Sequence, residues 1–340
     1  MHKKAIILAL LGAGVFYLLS QFIGASNILP VLLKADPLMI GVSILFQIIL
    51  LMVWTFRWET VANYMKLKIP FRRLFPYLVF VNFGDLITPG PRFGSEPLVV
   101  YVMEKKEHAD PDDTMASMLV ERLYGLVTFN ILAVAAVFML FLFVPVSRWL
   151  LVLLVVSLAI ALGLSAFIVY IFKTEKEGIK IATKIADRIL IFAYHLRHSH
   201  RGWRHESLAE YEQRLNKAIK IFFHDVVSLS KNENLWGKGI LLSFIFYFIF
   251  FIQTYFAFLA VGVKVPFYLI IIMMTLSELT GYLVLLPSAV GVTEVLMIAI
   301  LSSYGIGIGP AAAGTLLARG IYYIFGIVSG YVSMLYVAEE

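Results

Sequence analysis

From Asn82 to Glu96 the chain breaks two apolar half-segments with Gly84, Pro89, Gly90, Pro91 and Gly94, and places Asp85, Arg92 and Glu96 in the same stretch. The apolar run before it, from Leu74 to Thr88, is too short to cross a bilayer core of about 30 Å, which takes about 20 helical residues. Irregular backbone and ionised side chains persist at membrane depth only where protein or a water-filled cavity satisfies them. The stretch therefore predicts a re-entrant helical hairpin, about 74–103, that lines a cavity.

The same device occurs again in the second half. Pro89 precedes Glu96 by seven residues, and Pro287 precedes Glu294 by seven. Each glutamate is followed by an arginine near the start of an apolar helix, Arg122 after 26 residues and Arg319 after 25. Interrupted segments at matching places in two halves are the mark of a transporter built from internal repeats, with its site where the repeats meet.

Composition enters to decide the solvent. With 61% hydrophobic residues and a mean hydropathy of +0.88, the 340 residues form an integral membrane protein. No cysteine is present, which excludes disulfides, thiolate metal sites and cysteine nucleophiles. Met1 to Lys4 resemble a signal-peptide start, but the apolar run that follows is long enough to span and has no small-residue cleavage site. The net charge of +6 follows the membrane sides: with a cytoplasmic N-terminus, segments 1–4, 57–73, 104–122 and 173–238 hold 23 of the 28 Lys and Arg. That bias reports orientation and anionic lipid at the cytoplasmic surface, not nucleic acid.

The expected architecture is all-α and polytopic: about six transmembrane helices and two re-entrant hairpins in an inverted internal repeat. The helices fall at about 5–24, 38–58, 117–144, 148–172, 239–262 and 311–337, with the second hairpin at about 267–304. One membrane domain, 1–340, then divides into repeat one (about 38–144), a linker (173–238) and repeat two (about 239–337). Phe267 to Leu286 is itself about long enough to span, and if it did so the symmetry would fail. Trp54, Arg57 and Trp58 read as an interface anchor, and Asp112 or Asp113 as the cap of the next helix, in preference to a calcium loop with Asp110. The linker reads as two basic amphipathic helices; its His195, His198, His200 and His205 lack a zinc-binding frame.

No phosphate-binding glycine loop, nucleophile elbow or metal pair is present, so no cofactor and no catalysis are expected. The chemistry rests on ions at membrane depth: Asp85, Arg92, Glu96, Glu121, Arg122, Glu278, Glu294 and Arg319. Glu96 with Arg122, and Glu294 with Arg319, read as buried pairs that pin hairpin to helix or as direct ligand contacts. Arg92 and the amides of a broken helix suggest an anion site for phosphate or carboxylate, with Asn82, Asp85 and Arg92 as head-group contacts.

Asn82, Thr88-Pro89-Gly90, Gly94-Ser95-Glu96, Glu121-Arg122-Leu123, Pro287, Gly291-Val292-Thr293-Glu294 and Ala318-Arg319 together resemble the lysylphosphatidylglycerol synthase transmembrane, or flippase-like, family over essentially the whole chain. The usual Pro-Gly-x-x-Gly-Gly-Glu motif reads here from Pro89 to Glu96 with an extra residue and Ser95 for the second glycine. The usual Pro-Gly-Gly-x-Gly-x-x-Glu reads from Pro287 to Glu294 without two of its glycines. In that family the domain is often fused to an aminoacyl-transferase that makes lysyl-lipid, and it moves the product to the outer leaflet. The resemblance implies a plasma-membrane flippase for an anionic or aminoacylated phospholipid or a polyprenyl-phosphate lipid; the charge bias leads to an expectation of cytoplasmic termini, and the chain is open to homodimer formation. No stretch of these 340 residues reads as the transferase. A secondary transporter of a small polar solute and a lipid-modifying enzyme acting through Glu96 or Glu294 are the competing readings.

Overall fold

The computed structural model describes residues 30–65, 67–87, 95–174, 232–281 and 289–339, with short pieces of 176–227. The predicted first helix, the turn holding Arg92, the linker histidines and Pro287 lie outside the described residues. Among those described, the elements are all helical: α1 (Pro37–Tyr64), α2 (Phe71–Ile87), α3 (Glu96–Glu107), α4 (Pro111–Phe143), α5 (Arg148–Lys173), α6 (Glu233–Ala260), α7 (Phe267–Gly281), α8 (Val292–Ser303) and α9 (Ile308–Glu339). Five of them, α1, α4, α5, α6 and α9, are long and apolar enough to cross a membrane, so this is a multi-pass membrane protein.

Local chemistry sets the helix starts. Asp36 before Pro37, Ser147 before Arg148 and Asn232 before Glu233 each accept from an N–H of the first turn. At α4 the cap is Asp110, whose carboxylate accepts from the N–H groups of Asp112 and Asp113 at 2.9 and 3.1 Å. The expected caps, Asp112 and Asp113, stand instead inside the first turn, because Pro111 takes the first helical position and the capping residue must precede it.

Over the described residues, four helices are too short to span. At 1.5 Å per residue, the 17 residues of α2 reach about 26 Å, the 15 of α7 about 22 Å, and the 12 each of α3 and α8 about 18 Å. Of segment 267–286 the described part is helical, Phe267–Gly281, and the rest lies outside the described residues.

α2 and α3 form an antiparallel hairpin. Near its tip the Ser95 hydroxyl donates to the Val81 carbonyl, and at its base Arg73 pairs with Glu107 at 3.1 Å. α7 and α8 do the same, with Gly281 against Ala289 and Thr293 at the tip and Tyr268 bonded to Tyr304 at 2.8 Å at the base. Both tips close on glycine. A Cβ on Gly84 would stand 2.2 Å from the Ser95 Cβ, and one on Gly281 would stand 2.9 Å from the Ala289 Cβ, so no larger residue fits without spreading the arms.

The hairpins enter the bundle from opposite ends. α4 leaves the base of the first hairpin, and at its far end Phe143 packs on Tyr268 at the base of the second, with ring centroids 5.4 Å apart. α9 runs the other way: it leaves the second hairpin and ends at the first, where Lys106 donates to the Val337 carbonyl and Ser333 to that of Pro76. Gly326 and Gly330 let α2 lie close against α9.

Between these arms run α1 and α6, antiparallel and reciprocally bonded. Arg57 of α1 donates to Ser243 of α6 at 2.9 Å, and Gln253 of α6 donates to Ser43 of α1 at 3.1 Å. One apolar core surrounds the second hairpin and a separate one the first. The outer faces are apolar too, with Phe138, Phe141, Trp149, Phe248, Ile324 and Val328 exposed, as a lipid solvent requires.

Candidate functional site

The sequence places an arginine at the same depth in each of the two long helices that follow a hairpin. Arg122 is eleven residues beyond the start of α4, and Arg319 is eleven beyond the start of α9. Eleven steps of 1.5 Å are about 17 Å, close to half of a hydrocarbon core of about 30 Å. Both guanidiniums are largely withdrawn from the surface among apolar helices, where each must find partners.

They find them on the hairpins. The Nη2 of Arg122 donates to both carboxylate oxygens of Asp85 at 3.0 Å and to the Oε1 of Glu96, so one guanidinium ties the end of α2 to the start of α3. Arg319 repeats the arrangement: its Nη1 donates to Glu278 of α7 at 2.6 Å and its Nε to the Oε1 of Glu294 of α8 at 2.9 Å. The spacing between glutamate and arginine in each half thus corresponds to a real pair. The second acid of each clasp, Asp85 and Glu278, was not paired with its arginine by spacing, because nothing in the linear pattern fixes how far an incoming arm reaches past its tip.

The second clasp is further closed. Arg319 also donates through Nη2 to Thr293 at 3.0 Å and to the Tyr323 hydroxyl at 2.5 Å, and that hydroxyl in turn donates to the Oε1 of Glu294 at 3.2 Å. The rings of Tyr323 and Tyr322 lie against the guanidinium, 4.8 and 5.6 Å from centroid to Cζ. The remaining Oε2 of Glu294 accepts from the Gly291 N–H at 2.6 Å. Glu294 is the third residue of α8, so this bond is the backward half of a capping box and sets a negative charge on the positive end of the helix. Tyr323 could have been found from sequence: it is four residues beyond Arg319, on the same helix face.

A third ionic group lies beside the first. Arg57 pairs with Glu121 and donates to Ser243, fastening α1, α4 and α6, with Phe246 under the guanidinium at 5.1 Å. Arg57, Trp54 and Trp58 are all buried, so they do not form the expected interface anchor. The Trp58 indole donates to Ser117 at 3.0 Å. The tryptophan-arginine pattern suggests an interface only when the partner carboxylate on a distant helix is unseen.

Eight residues were expected at the site. Asn82, Asp85, Glu96 and Arg122 gather at the first hairpin, while Glu278, Glu294 and Arg319 gather at the second; Arg92 lies outside the described residues. Within the described clusters each arginine faces two carboxylates, which is not the positive excess that an anion site needs. The start of α8 is likewise occupied by its own glutamate, not left for a phosphate.

A model of the lysylphosphatidylglycerol synthase TM region matches residues 5–330. The chain belongs to that family. Two UPF0104 membrane proteins of Methanothermobacter thermautotrophicus resemble this member of the lysylphosphatidylglycerol synthase TM family. One is 27% identical over 95% of this chain and 92% of the relative; the other is 24% identical over the whole chain and 95% of the relative. A UPF0104 membrane protein of Methanocaldococcus jannaschii is 24% identical over 99% of the chain and 96% of its own length.

Proposed function

We infer that this protein is a lipid translocase, carrying an anionic or aminoacylated phospholipid, or a polyprenyl-phosphate lipid, between leaflets of the plasma membrane without modifying it. The observation that carries this reading is the pair of arginine clasps: two hairpins entering from opposite ends, each tied to the long helix that follows it. Hairpins inserted from opposite ends of the bundle give a polar head group a protein-lined crossing, while acyl chains stay against the apolar outer face. In this reading both hairpins are re-entrant, the two halves are inverted repeats, both termini are cytoplasmic, and the site draws on Asn82, Asp85, Arg92, Glu96, Arg122, Glu278, Glu294 and Arg319. Family membership supports a lipid, since the family is defined by the membrane region of a lipid-lysylating synthase.

The test is leaflet exchange of head-group-labelled lipids in liposomes holding the purified protein, beside Glu96→Gln and Glu294→Gln. Wild type should accelerate exchange of at least one lipid of these classes, and both variants should lose the acceleration while remaining folded. If no lipid across a broad panel moves faster than in empty liposomes, the reading falls.

A further inference from the structure

We propose that the two clasps are not equivalent halves of one site: the Arg122 clasp receives the ligand, through Glu96 and Asn82, whereas the Arg319 clasp is a closed fastening that receives none. The proposal rests on the lipid reading above and narrows it to one clasp and one kind of head group.

The difference lies in the glutamate that each arginine shares with the returning arm; the hydroxyls of Thr275 and Ser277 on α7 also lack partners among the described residues. At the second clasp every carboxylate oxygen of Glu294 is taken, Oε1 by Arg319 and Tyr323 and Oε2 by the Gly291 amide. Its arginine is 3% exposed. At the first clasp only Oε1 of Glu96 is taken; among the described residues Oε2 has no hydrogen-bond partner, although the residue is 4% exposed. The Nδ2 of Asn82, at 1% exposure, has none either. Both atoms belong to the first hairpin: Asn82 stands one turn before Asp85 on α2, with its Nδ2 toward Gly326 of α9, and the Ser95 hydroxyl on the Val81 carbonyl, 3.2 Å away, ties the start of α3 to the same helix. The Arg122 side chain that holds this clasp is 17% exposed, so the cluster reaches a surface that Arg319 does not. Buried polar atoms without partners cost stability and are retained where something else satisfies them.

The chemistry of the two atoms names the ligand class. A carboxylate oxygen accepts, so it calls for a hydroxyl or ammonium; an amide Nδ2 donates, so it calls for an ester, phosphate or carbonyl oxygen. A head group that presents both, such as a phosphodiester bearing a hydroxyl or an amine, satisfies the pair. A terminal phosphomonoester, whose ionised oxygens only accept, meets Asp85 and Glu96 as like charges.

The measurement is lipid binding to the purified full-length protein in detergent, by native mass spectrometry and by melting temperature. The probes are dioleoyl phosphatidylglycerol, phosphatidylethanolamine and phosphatidic acid. The expected result is that one or both of the first two bind about tenfold more tightly than phosphatidic acid, and that Glu96→Gln and Asn82→Ala each weaken that binding about tenfold. Tyr323→Phe, which loosens the second clasp, should lower the melting temperature yet leave the affinity of the folded fraction within about twofold. Asn82→Ala breaks no ion pair, so it reports on binding even where Glu96→Gln unfolds. The inequivalence is overturned if Tyr323→Phe weakens binding as much as Glu96→Gln, and the ligand class is overturned if phosphatidic acid binds as tightly as the others; in both cases the lipid reading stands. Binding of none of the three lipids removes the lipid reading and this inference with it.

Discussion

The two hairpins are built alike and finished differently. Each has a short arm entering, a glycine at the tip, a short arm returning and an arginine from the next long helix that clamps two acids across the tip. In the second, a tyrosine, a threonine and a backbone amide fill the valences that remain; in the first, one carboxylate oxygen and one amide nitrogen stay buried without a partner among the described residues. A repeated ionic clasp can thus serve as scaffold in one half and as a receptive site in the other, and whether both oxygens of the shared glutamate are bonded separates the two roles better than the identity of the acids does.

The sharpest way to break the comparison is to remove each arginine in turn. Arg319→Met strands Glu278 and Glu294 in a closed, water-poor site and should cost about 3–5 kcal/mol, since removing one partner leaves buried charge uncompensated. Arg122→Met strands Asp85 and Glu96 beside a surface that water reaches, so its cost should be smaller. Chemical denaturation of the two variants in detergent checks this. Equal losses, or a larger loss for Arg122→Met, would remove the distinction between a closed and an open clasp.

Much of this arrangement was legible in the sequence, for reasons that also explain what was not. Length and apolar character set the long helices of the bundle, while the expected breaks at Pro89, Gly90 and Pro287 lie outside the described residues. Both glutamate-arginine pairs followed from equal spacing, because each arginine follows its glutamate by about 25 residues in the same half of the chain. Partners separated by several helices were invisible: Arg57 meets Glu121 and Ser243 only after α1, α4 and α6 have packed together. For the same reason a tryptophan-flanked arginine looked like a membrane-interface anchor, and a cluster with two acids per arginine looked positive. Local sequence reports the cost of placing an ion at depth, but the compensation for that cost comes from tertiary structure.

The glycines at the tips sharpen the comparison at a smaller scale. A Cβ at position 84 meets both Cβ and Oγ of Ser95, at 2.2 and 2.3 Å, whereas one at 281 meets Ala289 and Thr293 at 2.9 Å. Gly84→Ala should therefore cost about 1–3 kcal/mol by overpacking, and Gly281→Ala less. Adding Ser95→Gly to Gly84→Ala should recover much of the loss, because it removes the atoms in conflict. Melting temperatures of the three variants check the order. A first hairpin that tolerated alanine at 84 without loss would show its arms free to spread at the tip.

The smallest expected effect is also the most direct evidence on the open clasp. Tyr323→Phe at the second clasp removes a hydroxyl that accepts from Arg319 and donates to Glu294, so it should cost about 1.5 kcal/mol, the worth of a hydrogen bond to a charged group. Asn82→Ala at the first clasp removes an amide nitrogen that has no partner among the described residues, so in lipid-free detergent it should be neutral or slightly stabilising. The sign should then depend on lipid: if Asn82 is kept for a head group, the wild type gains melting temperature from the bound lipid and Asn82→Ala gains less. A substitution harmless in the empty protein and costly in the loaded one separates a ligand contact from a structural one. A loss of the same size with and without lipid would instead place Asn82 among the groups that hold α2 against α9.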